Sequence, residues 1–422
     1  MLKFKITVQK ASQSRNKEMW HKRTKFKIYF YVLLLISIYA AAYDMYVAAL
    51  PSLETYFSTS ANAIQLTVTV FAAASILTSI PIGMLNDAAG RKITLQILLL
   101  TVTIGCILCL FTHNIYIFYL GRALQGIGGS GLFIVAVTIP KDILNQKDFL
   151  KVWQWLTLAF FIAPSIATAV GSYIVFHLNW QAVFYTIIII CIITLCVIIF
   201  AFEESSPKQP KNTQIKNKIP LFKKYKMVLL NPKFLTYSYT TALAWAGMSL
   251  YYLFLPFIIV NHYGYSIIVF GWIAFSMVMA GVFGRIVNML FLSKYLTLEN
   301  TTLKFSIINV CSSFLLIAAF ILPNSLALGI VMLSSIIFGF SSSISAIAGS
   351  SIALNIFDKE LSSAASASYG LIIDCLIAVS LAIAPLFATS IITLAIMLII
   401  LTGNALFFVY LNQKLNHSSQ VD

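Results

Sequence analysis

Two charged side chains in the first third of the sequence, Asp44 and Arg122, fall inside long apolar stretches. At the centre of a membrane-spanning helix each costs about 2.5–3.5 kcal/mol on insertion scales, so such residues indicate functional positions. A low dielectric favours the neutral carboxyl group, and a nearby cation favours the carboxylate. We therefore expect Asp44 to bind and release a proton, with Arg122 stabilising its ionised form or relaying the exchange. A static structural ion pair is the alternative.

The elements that must hold these charges are apolar segments of membrane-spanning length. The chain has 422 residues, of which 60% are hydrophobic and 10% are charged, whereas soluble domains have about 25% charged residues. Each crossing needs about 20 mainly apolar residues, and the sequence predicts twelve spans. They lie near 27–50, 63–85, 93–112, 115–139, 151–175, 182–202, 233–259, 267–291, 302–322, 326–354, 363–388 and 389–412. We expect an all-α membrane protein with two pseudo-symmetric six-helix bundles.

Basic residues predict the orientation and the division of the chain. With the N-terminus inside, the outer loops contain no Lys or Arg, whereas the inner loops and the polar stretch between the sixth and seventh spans hold many. Because cytoplasmic loops are enriched in Lys and Arg, both termini are predicted to be cytoplasmic. The expected parts are a basic N-terminal tail (1–26), a first bundle (27–202), a cytoplasmic linker (203–232), a second bundle (233–412) and a C-terminal tail (413–422).

The net charge of +15 does not indicate a nucleic-acid partner, because nine Lys/Arg lie in residues 1–27 and eight between Lys208 and Lys233. The six cysteines lie in apolar segments and the histidines have no ligand spacing. We therefore expect no metal site and no cofactor. The sequence contains neither a G-x-x-x-x-G-K-[ST] loop for ATP nor a nucleophile-and-base set, so an ATP-driven pump and an enzyme are not expected.

A run rich in glycine and charge straddles the inner end of the second span. Gly83 allows a close approach of helices, and Asp87, Arg91 and Lys92 can pair with groups on a neighbouring helix end. Such pairs would hold one conformation and break in another. We therefore predict that this run, including Gly90, is a conformational latch.

This run resembles the G-x-L-a-D-r-x-G-r-k loop signature of the major facilitator superfamily. It keeps both glycines, the leucine, the aspartate and the two final basic residues. It departs from the signature at Ala88, where the family usually has a basic residue. The resemblance implies a transporter with the major facilitator fold.

Two other runs carry the same resemblance. The run 121–129 resembles the fourth-helix R-x-x-q-G motif, matched here by Arg122, Gln125 and Gly126. The arginine of that motif is linked to proton transfer in family members. The run 44–51 is similar to the first-helix D-x-Y-x-P-A-L-P pattern of the bicyclomycin/chloramphenicol-resistance type of drug:proton antiporter. The resemblance therefore implies proton coupling at the first and fourth helices.

The fifth-helix motif that marks antiporters, G-P-x-x-G-G, is degraded here: Pro164 and Gly171 remain, while alanines replace its glycines. Small residues still permit close helix packing. The Ile-Ala-Pro run that ends at Pro164 recurs at 383–385, and the small-residue run after Gly126 is echoed after Gly339. These repeats favour an internal duplication, which is a known transporter architecture. The expected helix-packing residues are Gly126, Pro164, Gly171 and Pro385.

Substrate recognition is expected from aromatic side chains on the first and seventh helices, which face the central cavity in this superfamily. Aromatic walls bind flat or amphipathic molecules and bind cations by their ring faces. A lipid-facing or packing role is the alternative for each ring, and a hydrogen-bonded packing role near Ser380 is the alternative for Asp374. The candidate cavity residues are Tyr43, Tyr46, Gln125, Trp245, Tyr251, Tyr252 and Asp374.

The favoured function is a proton antiporter in the bacterial inner membrane that expels drug-like or endogenous organic molecules. The alternatives are a dedicated transporter of one metabolite, such as a siderophore, in either direction, and a transporter-shaped sensor. The expected partners are a small organic substrate, protons and the lipid bilayer, and the chain is expected to be a monomer.

Overall fold

The computed structural model describes residues 26–144, 146–205 and 221–418, and the described residues form a helical protein. Most of the predicted N-terminal tail, part of the linker and the end of the C-terminal tail lie outside these ranges. The helices are α1 (Phe26–Met45), α2 (Leu50–Phe57), α3 (Ala61–Ala89), α4 (Arg91–Phe111), α5 (Ile115–Ile143), α6 (Gln146–His177), α7 (Trp180–Ala201), α8 (Leu221–Leu229), α9 (Pro232–His262), α10 (Ile267–Tyr295), α11 (Leu298–Ile321), α12 (Asn324–Asn355), α13 (Lys359–Ile383) and α14 (Ile391–Ser418).

Eleven of the described helices are long and apolar enough to cross a membrane, and α6 contains the shorter apolar segment Ile162–His177. Together they account for the twelve predicted spans, so the predicted fold class is confirmed. The short helices α2 and α8 are additional. The α8 helix lies inside the stretch predicted as linker, where it packs against α13.

Polar side chains begin several of the long helices. A side-chain oxygen at the N-cap accepts a hydrogen bond from a backbone N–H that the helix itself leaves without a partner. In the described residues this role falls to Ser60, Asn114, Asn179, Asn231 and Thr297. These short polar residues between long apolar runs explain why the spans begin where they do.

The helices pack as two groups that follow the chain order. In the first group α3 and α4 pack against α5, and α4 packs against α7. In the second, α12 packs against α9, α10 and α11, and α14 packs against α9 and α11. The groups meet where α6 packs against α10 and where α3 packs against α13. We call residues up to Phe202 the first bundle and residues from Pro232 the second bundle.

Equivalent glycines allow close helix contacts inside both bundles. A Cβ on Gly126 of α5 would collide with the backbone carbonyl of Phe71 on α3. A Cβ on Gly339 of α12 would collide in the same way with the backbone carbonyl of Met277 on α10. Both glycines therefore let the backbones of two helices touch, as small residues commonly do in membrane bundles.

The two ends of the molecule differ in charge. The Lys/Arg-free end holds the connections 58–60, 112–114, 178–179, 263–266 and 387–390, and the basic end holds the opposite connections and α8. Among the described residues, four hydrogen bonds join the bundles near the Lys/Arg-free end. They are Thr69 Oγ1 to Leu381 O (2.7 Å), Gln65 Nε2 to Thr389 Oγ1 (3.3 Å), Thr389 Oγ1 to Asn62 Oδ1 (3.4 Å) and Asn261 Nδ2 to Glu54 Oε2 (2.7 Å). These hydrogen bonds hold the two bundles in contact at this end.

Candidate transport site

Asp44 lies in a widened turn of the first membrane helix. Residues Ala41–Met45 form a π-helical segment in which the backbone leaves the regular α pattern. Single π turns inside α-helices are frequent at functional sites. The Asp44 side chain is almost enclosed, with 5% of the residue's surface exposed.

Three tyrosines surround this carboxyl group. Tyr39 and Tyr43 belong to α1, Tyr252 belongs to α9 of the other bundle, and all three lie within electrostatic range of Asp44. Thr168 of α6 donates from its Oγ1 to the backbone oxygen of Asp44 at 3.5 Å. Asp44 therefore lies at the seam between the bundles, where its surroundings would change if the bundles moved.

Arg122 is enclosed in the first bundle, with none of its surface exposed. Its Nη1 donates to the backbone oxygen of Ala42 at 2.9 Å and to Gln125 Oε1. The guanidinium carbon lies 3.8 Å from the ring centroid of Tyr46 and 4.7 Å from that of Phe71. Such stacking stabilises a desolvated guanidinium by cation–π attraction.

Arg122 and Asp44 make no direct contact in this conformation. Arg122 instead binds the backbone of the π turn two residues before Asp44. The static ion pair considered above is absent too, since the described contacts of Arg122 are with Ala42, Gln125 and aromatic rings. Any effect of Arg122 on Asp44 here acts through the shape of α1.

Asp374 lies midway along α13 and is exposed, and it is within electrostatic range of Tyr39 across the gap between the bundles. Because hydrogen bonds join the bundles at the Lys/Arg-free end, we expect this gap to open toward the basic end. Trp245 and Tyr43 are half-buried and pack against the main apolar core. We call the gap lined by Tyr39, Tyr43 and Asp374 the central cavity.

Three candidate cavity residues lie inside the bundles and have no exposed surface. Tyr46 packs under Arg122, and its hydroxyl is 2.6 Å from Thr67 Oγ1. Gln125 accepts from Arg122. Tyr251 pairs with Ser334 Oγ at 2.9 Å within the second bundle. In this conformation these three side chains pack the bundles and do not line the central cavity.

The predicted latch residues form a charge cluster within the first bundle. Arg91 Nε donates to Asp142 Oδ2 on α5 at 2.7 Å, and Arg91 Nη1 lies 3.3 Å from Asp87 Oδ1. The Asp87 side chain is 66% exposed. The described ion-pair partner of Asp87 is thus Arg91 of its own bundle. Asp142 was not singled out from the sequence, because a charge at a helix end is ordinary.

A third carboxylate, that of Glu204, belongs to the same cluster. Glu204 accepts from the backbone N–H groups of Arg91 (2.9 Å) and Lys92 (3.0 Å), at the beginning of α4. The N-terminus of a helix favours a negative charge. Gly90 has a φ of 84°, and a Cβ there would lie 2.6 Å from the Glu204 carboxylate. The positive φ therefore favours glycine at this position, and a larger residue would also have to displace the Glu204 side chain. Gly83, by contrast, has no atom within 4 Å of an added Cβ.

The predicted packing residues adopt different local structures. Gly171 of α6 lies directly against the backbone oxygen of Met45 at the end of the π turn, where a Cβ would collide. Pro164 lies within α6, whereas Pro385 lies in the 3₁₀ turn Ala384–Leu386 that follows α13. The repeated Ile-Ala-Pro run thus continues a helix in the first bundle and ends one in the second.

Among the described residues, no cluster of three or more His, Cys, Asp or Glu side chains could hold a metal ion. A charge deep inside a predicted span was overlooked in the sequence. Arg285 lies on α10, and its Nε donates to Ser343 Oγ at 2.9 Å. The sequence feature that singled out Asp44, a charged residue within an apolar stretch, applies equally to Arg285.

Comparisons with known proteins place this architecture in a family. The profile described as Major Facilitator Superfamily matches residues 32–380. The Multidrug resistance protein MdtL of Salmonella paratyphi C (strain RKS4594) is 30% identical over 173 residues, which are 41% of this chain and 44% of the relative. MdtL of Salmonella typhimurium matches over the same extent. The match therefore spans less than half of these relatives.

Solved transporter structures share the fold at low sequence identity. A bacterial homolog of the human lysosomal transporter Spinster, in an inward-facing and occupied conformation, has a TM-score of 0.72 at 15% identity, covering 92% of this chain and 96% of that one. The nucleoside transporter NupG has a TM-score of 0.68 at 14% identity, covering 92% and 97%. Because the family profile covers most of the chain and these structures share its fold, the protein belongs to the Major Facilitator Superfamily of transporters and is not an enzyme.

Proposed function

We propose that the protein exports small organic molecules across the bacterial inner membrane in exchange for protons, by alternating access. One observation carries the proposal. The carboxyl group of Asp44 is almost enclosed at the seam between the bundles, where helices of both bundles meet. A titratable group at a seam that opens and closes can exchange its proton with one side at a time.

The physical link is the cost of enclosing a charge. An ionised carboxylate without a cation beside it is expensive in a medium of low dielectric, whereas the neutral acid is much less so. The conformation closed at the Lys/Arg-free end therefore favours neutral Asp44. A conformation that hydrates Asp44 favours the carboxylate. Binding and release of the proton thus shift the balance between the two conformations.

The substrate class is supported by the cavity and by the relatives. The central cavity combines the tyrosines 39 and 43 with the carboxyl group of Asp374, which suits aromatic or cationic organic molecules. The relatives that match 41% of the chain are multidrug resistance proteins. The bundles are hydrogen-bonded at the Lys/Arg-free end, and the basic end is expected to face the cytoplasm, so we infer that this conformation loads substrate from inside.

Transport into inverted membrane vesicles tests the proton coupling. Asp44→Asn should abolish uptake driven by a pH gradient and leave the amount of protein in the membrane unchanged. Asp358→Asn is the matched control, because Asp358 is an exposed aspartate just before α13. Wild-type uptake that survives collapse of the gradient, or an active Asp44→Asn variant, would refute the coupling.

The breadth of substrates is tested by growth. Cells that produce the wild type should tolerate several chemically unrelated toxic compounds better than cells that produce Asp44→Asn. Protection against a single compound would instead favour a dedicated metabolite transporter.

A further inference from the structure

The short helix α8 is anchored to the basic end of the second bundle by one of its sides. Val228 has no exposed surface and belongs to an apolar cluster with Phe234 of α9 and Ala364 of α13. Tyr225, one turn earlier on α8, packs against the same cluster. The side of α8 that carries Tyr225 and Val228 therefore faces the protein, and we call it the anchored side.

The position of α8 along the membrane normal follows from its connection to α9. Only Leu230 and Asn231 separate it from Pro232, where the membrane-spanning helix α9 begins. Two residues reach at most about 7 Å. Because α8 also packs against α13, it lies against the end of the bundle and does not extend away from it. The end of α8 is thus at the level where a membrane span begins.

The side of α8 that faces away from the protein combines positive charge with apolar surface. Lys223 and Lys226 are exposed, and Met227 and Leu230 are 44% and 67% exposed. The backbone N–H of Leu230 donates to the oxygen of Lys226 at 3.0 Å, so the helical path continues to this residue. With 3.6 residues per turn, the four side chains lie within an arc of about 100°, opposite the anchored side.

A surface of this composition suits neither bulk water nor the hydrocarbon core. Water disfavours exposed apolar side chains, and hydrocarbon disfavours a lysine ammonium group. Both requirements are met at the level of the lipid headgroups, where apolar side chains reach the acyl boundary and lysines reach the phosphate groups. The basic end is expected to face the cytoplasm, and the cytoplasmic leaflet attracts lysines because it carries anionic lipids.

We propose that α8 is an interfacial helix that binds the headgroups of anionic phospholipids in the cytoplasmic leaflet. Lys223 and Lys226 contact the headgroup phosphates, and Met227 and Leu230 lie among the first methylene groups of the acyl chains. The anchored side holds the helix to the bundle, so the bound lipid lies beside α9 and α13. This lipid site is separate from the proton chemistry of Asp44 and from the transport of small molecules.

Lipid-borne quenchers test the proposal in the full-length chain. The native cysteines are replaced by serine, Leu229→Cys carries a bimane label, and the protein is reconstituted in phosphatidylcholine vesicles. Nitroxide-labelled phosphatidylglycerol or phosphatidylcholine with the same acyl chains is then titrated in, and the quenching gives the relative association constant of the two lipids at α8. This ratio should favour phosphatidylglycerol about tenfold, the size expected for two lysines near anionic lipid.

Paired substitutions separate the α8 lysines from the general charge of the basic end. Lys223→Gln combined with Lys226→Gln should bring the ratio to about one. Lys294→Gln combined with Lys304→Gln is the matched control, because it removes two exposed cations from α10 and α11 near the same end and should leave the ratio unchanged. Substitutions at exposed positions change stability little, and thermal unfolding verifies that each variant is folded.

The apolar part of the surface is tested by Met227→Gln combined with Leu230→Gln. This pair should weaken quenching by both lipids and increase quenching by aqueous iodide, because the helix loses its hold on the acyl boundary. The proposal fails if phosphatidylglycerol quenches no better than phosphatidylcholine in the protein that keeps its lysines, or if the control pair removes the preference as fully as the α8 pair. Strong iodide quenching without lipid quenching before any of these substitutions would place α8 in water and refute it as well.

Discussion

At the residue scale, Arg122 is held by contacts that suit a guanidinium and not an ammonium. It donates to the backbone of the π turn and to Gln125, and its flat face lies over the ring of Tyr46. Lysine carries the same charge but has a compact head that cannot stack in this way. The shape of the group, and not its charge alone, fixes the turn that carries Asp44.

We therefore predict that Arg122→Lys lowers the free energy of unfolding by about 2 kcal/mol, the size of a desolvated cation–π contact. It should also slow proton-driven transport, because α1 loses its fixed geometry near Asp44. Thermal unfolding and vesicle uptake measure the two effects. Lys304→Arg is the control, since Lys304 is exposed on α11. Wild-type stability and transport in Arg122→Lys would show that charge alone matters at this position.

The sequence predicted which residues carry charge inside the membrane but not how they pair. Asp44 and Arg122 could be singled out because placing a charged side chain in a membrane-spanning helix costs free energy, so such residues are rare. Their separation could not be predicted, because contacts between α1 and α5 depend on helix rotation and on the Tyr46 ring, which periodicity does not specify. Arg285 was predictable by the same rule and was overlooked.

At the element scale, long apolar runs specified the twelve spans, and short or irregular elements were missed. The α8 helix has nine residues, which is too short for a span, and it lies in a stretch that is otherwise polar. The π segment Ala41–Met45 was not predicted. The pattern of apolar residues indicates which residues are buried, but it does not indicate which backbone hydrogen bonds form. The Ile-Ala-Pro repeat correctly pointed to equivalent positions, yet α6 continues through Pro164 while α13 ends just before Pro385.

The glycine contacts give a prediction that belongs to this scale. Gly126→Ala and Gly339→Ala should each cost about 1–3 kcal/mol of stability, because the added methyl group collides with the backbone of a neighbouring helix. Gly329 is the matched control on α12, since nothing lies within 4 Å of a Cβ there. Gly329→Ala should be neutral or stabilise the protein by up to about 1 kcal/mol, because alanine favours the helix. Thermal unfolding in detergent measures all three, and equal effects at Gly329 and Gly339 would contradict close backbone packing.

At the scale of the whole molecule, the contacts at the two ends define the conformation. Hydrogen bonds such as that from Asn261 to Glu54 join the bundles at the Lys/Arg-free end. At the basic end, Asp87 is largely exposed and pairs within its own bundle. Under the proposed function, the conformation that encloses Asp44 is also the one that opens toward the basic end, which would tie the proton to the direction of access.

This link predicts how acidity moves the bundles. Lowering the pH neutralises Asp44 and removes the cost of enclosing its charge, so acid should increase the population that is open at the basic end. Asp44→Asn imitates the neutral acid and should hold that population at every pH. Electron spin resonance between labels at Met84→Cys and Asp358→Cys, with the native cysteines replaced by serine, measures the separation of the bundles there.

The distance between these labels should increase at acidic pH in the protein that keeps Asp44, and it should stay long at every pH in Asp44→Asn. Labels at Met84→Cys and Glu203→Cys, within the first bundle, should not respond, and an acid response that persists unchanged in Asp44→Asn would place the proton switch on another residue.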